Sequence, residues 1–146
     1  MSTYIAVTLR KLLTETDIWK PSIVELDKEE LSKLSLLCLR AELQTHYKLR
    51  RQSDPEWSKK GSEVWNLTLT MLSDKHVKAK AAETHGLLAF VCEMLAKYKA
   101  RLSTSGSEQD QLFFELATHA GKVPWLSMLS WPDMAGTSMR QFLGRC

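Results

Sequence analysis

The sequence predicts an all-α protein: one domain of five to seven helices, arranged as a bundle or a short helical array. Three observations carry this expectation. Apolar residues recur at intervals of three, four and seven along most of the chain, the period of an amphipathic helix. Turn formers are scarce, with 6 Gly and 4 Pro in 146 residues, too few for the many connections of an all-β fold. Helix-start signatures stand at Asp27 with Glu30, at "SDPEW", and at Ser107 with Asp110.

The elements follow in order. Ile5, Leu9, Leu12 and Leu13 mark a first helix over residues 3–14, capped by Ser2 or Thr3. Pro21 stops any helix before it and marks a connector. Asp27 opens the second helix, whose apolar residues from Leu31 to Tyr47 cover more than one stripe. Such a helix is expected to be central and buried. It ends among Lys48, Arg50 and Arg51, cations that suit the negative end of the helix dipole.

Ser53 or Asp54 with Pro55 predicts a third helix from 55 to about 72. Within it, "EVWNLTLTML" alternates apolar and polar residues and has the half-buried strand as its alternative reading. It also contains Asn66-Leu67-Thr68, a glycosylation triplet. The helix is preferred, because no second alternating run exists for a strand to pair with. A fourth helix is expected to start at Ser73 or Asp74 and to run through Val77, Ala81, Leu88, Val91, Cys92, Leu95 and Leu102. Ser107 and Asp110 then cap a fifth, with Leu112, Phe113, Leu116 and Ala117 facing inward and Gly121 as its left-handed C-cap. Residues 123–146 form short helices broken at Pro132 and Gly136, a candidate interaction tail on the same domain. No internal repeat period is present.

Composition narrows the class. With 44% hydrophobic and 25% charged residues the chain is an ordinary globular one. No apolar run approaches a bilayer span, and "MSTYIAVTLRKLL" lacks the basic leader of a signal peptide. Cys38, Cys92 and Cys146 are odd in number and far apart. Cys38 and Cys92 are read as core thiols of an intracellular protein, cytoplasmic or nuclear, and the glycosylation triplet loses its context.

Catalytic signatures are missing. There is no P-loop, nucleophile elbow, H-E-x-x-H or Gly-rich dinucleotide turn. His46, His76, His85 and His119 have no paired ligand spacing, and there is no C-x-x-C. His85 and Cys92, seven residues apart, are expected to pack in the core, where an apolar environment makes a thiol inert. The expectation is a protein that is not an enzyme, with no metal, no cofactor and no small-molecule substrate.

Two surfaces remain. Between His46 and Arg101, 11 Lys or Arg face 6 acids. Arg50, Arg51, Lys59, Lys60, Lys75, His76, Lys78 and Lys80 form a candidate anion or nucleic-acid (RNA) site, with the last four on the first turns of the fourth helix. In the tail, Trp125, Met128, Trp131, Met134, Met139 and Phe142 form an aromatic and Met-rich group of the kind enriched at interfaces. The leading expectation is a helical protein-interaction module that binds another protein or a second copy of itself. RNA binding through residues 48–80 is the alternative.

Overall fold

The computed structural model describes residues 1–129 apart from 23, 24, 58, 60, 74 and 105; at 73 and 124–129 it describes backbone alone. Six helices occur among the described residues, and no strand does. They are α1 (Ser2–Thr14), α2 (Lys28–Ser53), α3 (Leu69–Ser73), α4 (Ala81–Lys97), α5 (Lys99–Leu102) and α6 (Glu108–Leu129). The fold is all-α, as the periodicity predicts.

α2 starts where its cap predicts. The Asp27 carboxylate accepts the Glu30 N–H at 2.8 Å, and Glu30 reaches back to the Asp27 N–H at 3.3 Å. This capping box satisfies two of the N–H groups that have no partner inside the helix. α2 is not buried all round, however. It buries Leu36, Leu39, Leu43, His46 and Tyr47, while Leu37, Cys38 and Leu49 are exposed. Its apolar excess lies partly on a solvent face, so Cys38 is a surface thiol, not a core one.

The central helix is α4. It buries Leu87, Leu88, Phe90, Val91, Met94 and Leu95 along one broad face, with Gly86 and Ala89 extending the buried surface beyond it. α2 packs antiparallel to it. His46 Nδ1 lies 2.7 Å from the Glu93 carboxylate, and one turn earlier on α2 Glu42 accepts from Lys97 and, at 2.8 Å, from the Tyr98 hydroxyl. Glu42 also accepts from the Trp19 indole at 2.5 Å, which fastens the 15–27 connector to the same seam. On the other side α1 runs antiparallel to α6. The Tyr4 hydroxyl donates to the Ala117 carbonyl at 2.8 Å, and Lys11 meets Asp110 at 2.6 Å.

The expected third helix does not form as one element. Residues 55–57 make a turn, Gly61 takes φ +64°, and residues 62–68 run irregularly until α3 begins at Leu69. The stretch is neither a long helix nor a paired strand. Val64 and Leu67 are buried, whereas Trp65 and Asn66 between them are exposed. Side chains of α2 satisfy its backbone: Tyr47 accepts the Val64 N–H at 3.0 Å, and Arg40 donates to the Leu67 carbonyl at 2.6 Å. Extended chain can lie in the interior without a strand partner when other groups complete its hydrogen bonds.

α4 also starts later than expected. Residues 75–80 are non-helical, and Glu83 accepts the Lys80 N–H at 2.7 Å to begin the helix at Ala81. Lys75, His76, Lys78 and Lys80 therefore precede the helix and do not occupy its first turns, where the sequence places them. Gly121 is no C-cap. α6 continues past it, through Pro124, to Leu129.

Candidate functional site

α6 carries the surface that stands out. Ser107 and Asp110 cap it as expected: the Asp110 carboxylate accepts the Ser107 N–H at 3.2 Å and its hydroxyl at 2.7 Å, and Asp110 N–H donates to Ser107 Oγ at 3.3 Å. The helix then buries Phe114, Ala117 and Gly121. Gly121 is needed because the neighbours come close. A Cβ there would lie 2.6 Å from the Tyr4 hydroxyl and 2.9 Å from Cys92 Sγ.

That rotation turns the opposite face outward. Leu112 is 56% exposed, Leu116 60% and Val123 69%. The sequence places Leu112 and Leu116 in the core, and this is corrected: the buried set is one residue out of phase, Phe114 and Ala117 with Gly121. Gly121 and Ala117 allow α6 to lie flat against α1 and α4. The small residues face inward, and the large aliphatics are left in water. Sequence periodicity misses this because both faces of α6 are apolar, and the choice depends on which one fits its neighbours.

Beside this face a cleft of about 480 Å³ runs between α6 and the α4–α5 corner. Its floor includes Leu95, Leu102 and Phe114, and Glu115, His119 and Lys122 stand along the α6 rim. Across the helix, Lys11 is paired with Asp110 and lies 5.1 Å from the centre of the Phe113 ring. Hydrogen bonds from Lys11 and Ser107 hold the Asp110 carboxyl at a pKa of about 2, well below its ordinary 3.8.

The basic residues are placed differently. Arg51 Nη1 lies 3.2 and 2.9 Å from the two oxygens of Glu63, which is buried, and its guanidinium lies 5.3 Å from the centre of the Trp65 ring. Burial pushes the Arg50 pKa down against the pull of Glu93 and Asp54. Lys59 pairs with Glu56 at 2.6 Å, and His76 shares a 2.5 Å hydrogen bond with Thr3 on α1. Lys75, Lys78 and Lys80 are exposed, and Lys60 lies outside the described residues. The antiparallel α2–α4 packing brings the end of α2 and the start of α4 to one end of the molecule. Two of these cations, Arg51 and Lys59, are held by carboxylates there.

The candidate tail falls mostly outside the described residues. Trp125 and Met128 lie on the α6 backbone, and Trp131, Met134, Met139 and Phe142 are not described. Cys92 and His85 do not come together as nucleophile and base. His85 is exposed, while Cys92 is half-buried, its Sγ 3.6 Å from the Gly121 carbonyl, and burial raises its pKa to about 11. His46 is buried between Phe90, Tyr47 and Trp57, with Nε2 lacking a hydrogen-bond partner among the described residues. Burial pushes Glu93 up, but the His46 hydrogen bond and the nearby Arg50 and Lys97 outweigh it and leave its pKa lowered. No group of three or more His, Cys, Asp or Glu placed to hold a metal occurs among the described residues. No described helix is long and apolar enough to cross a membrane. Searched against protein-family models, curated proteins and solved structures, the chain matches none of them.

Proposed function

We propose that this protein is a non-enzymatic helical interaction module that binds a protein partner through the outer face of α6. One observation carries the reading: Leu112, Leu116 and Val123 stand on a single helix face, each more than half exposed. Isolated exposed leucines are ordinary, but aliphatics aligned at helical spacing are the anchors by which helices dock. The adjoining cleft gives a bound element a second wall. The unpaired thiols of Cys38 and Cys92 support an intracellular, reducing compartment.

The test is the double substitution Leu112→Asp with Leu116→Asp. If the face is a docking surface, the unfolding free energy in dilute solution changes by no more than about 0.5 kcal/mol, as for exposed sites. The natural protein is expected to bind the hydrophobic dye ANS, and the variant to bind less of it. If the variant unfolds or loses several kcal/mol, the face is part of the core and the reading fails.

A further inference from the structure

Resting on that reading, we infer that the occupant of the α6 face is the α6 of a second copy of this chain, packed antiparallel across a two-fold axis. Leu112, Leu116, His119 and Val123 are spaced by four, three and four residues. This is the seam spacing at which two helices interlock side chains. All four are exposed. An antiparallel two-fold pairing layers Leu112 against the partner's Val123, and Leu116 against the partner's His119. Each layer recurs by symmetry, because an isologous contact uses the same patch twice.

The flanks decide the orientation. In this register one flank brings Glu115 beside the partner's Lys122, and Lys122 beside the partner's Glu115. Both are exposed, and neither has an ion-pair partner among the described residues. The other flank brings half-buried Phe113 beside the partner's Ala120, which is apolar on apolar. A parallel pairing sets Glu115 opposite Ala120 and Lys122 opposite Ser127, and makes no ion pair. Flanking charges of this kind set the orientation of paired helices. The seam has four layers, so the contact falls at the small end of specific interfaces, below roughly 1,200 Å². The dimer is therefore weak and separates on dilution.

The experiment is sedimentation of the full chain over a dilution series, with Glu115→Lys, Lys122→Glu and the double exchange. A reversible monomer–dimer equilibrium is expected. Each single exchange places like charges together at two symmetric positions and weakens the dimer about tenfold. The double exchange restores it, which no effect on the monomer alone would produce. A monomer at every concentration overturns the inference, as does a dimer indifferent to both single exchanges. The companion Leu112→Asp, Leu116→Asp variant separates the failures. If the chain is monomeric and that variant is fully stable, the face remains open to a different protein and only self-pairing fails. Should the chain be monomeric and the variant destabilised, the chain's own C-terminal segment covers the face, and both readings fail.

Discussion

The backbone of Ser62 crosses α4 directly over Gly86: a Cβ at Gly86 would sit 1.9 Å from the Ser62 carbonyl oxygen and 3.0 Å from its carbon. The obstruction is backbone, which cannot swing away as a side chain can. Gly86→Ala must therefore push the 62–68 segment off α4, with Val64 and Leu67, both buried, moving too. A loss of about 2 to 3 kcal/mol in denaturant unfolding is expected, in the upper range of overpacking. Gly121→Ala meets the ends of two side chains, Tyr4 and Cys92. These can give way, and a smaller loss is expected. Equal losses at the two sites would contradict the difference drawn between them.

This contact also explains what sequence reading misses. Alternation in "EVWNLTLTML" invites a strand, and "SDPEW" invites a helix. No strand forms and the helix is confined to α3, because the partners of residues 62–68 are remote: the Tyr47 hydroxyl, the Arg40 guanidinium and the gap above Gly86. Signals whose cause is local are legible, such as the caps at Asp27 and Ser107 and the helical period of α1, α2 and α4. The start of α4 and the phase of α6 depend on tertiary fit, and the sequence misplaces both. Of the candidate surfaces, the tail that the sequence singles out lies mostly outside the described residues, and the exposed face of α6 is not legible in the sequence. The leucines of α6 read as core because one apolar face cannot be told from another by spacing alone.

Arg51 separates a structural from a nucleic-acid role. Its partner Glu63 is buried, with side-chain exposure of 6%. Arg51→Ala leaves a buried carboxylate without its cation, and also strips the guanidinium from Trp65. Because Arg51 itself is 35% exposed, water screens part of the loss. A destabilisation of about 1 to 2 kcal/mol is expected by urea titration. An unchanged midpoint would mean that the pair contributes nothing to the fold.

The two described cysteines should differ sharply in reactivity. Cys38 is exposed on α2, whereas Cys92 is half-buried against α6 with its pKa raised to about 11. Because the thiolate is the reactive form, Cys92 is shielded by both protonation and access. In a Cys146→Ser background at mildly alkaline pH, one equivalent of DTNB should react quickly. The second should react only as the protein unfolds. Rapid reaction of both thiols would contradict the α4–α6 packing.

Asp110 links α6 to acid stability. Its pKa is about 2 in the folded protein and 3.8 as an unperturbed carboxylate. The folded value is the lower one, so its contribution is complete above about pH 4 and is lost as pH falls toward 2. Asp110→Asn should lower the melting temperature near neutral pH, and the gap from the natural protein should close as pH approaches 2. A gap independent of pH would show that the carboxylate's charge is not what holds Lys11 and the Ser107 cap.

The large aliphatics of α6, Leu112, Leu116 and Val123, face water and not the core. Leu116→Cys, in a chain with Cys38→Ser and Cys146→Ser, tests this through the rate of maleimide labelling in dilute solution. Leu88→Cys serves as the buried control, since Leu88 is 0% exposed. The thiol at 116 is expected to label nearly as fast in the native protein as in denaturant, and the thiol at 88 to be protected. Protection at 116 equal to that at 88, at concentrations where the chain is monomeric, would contradict that exposure.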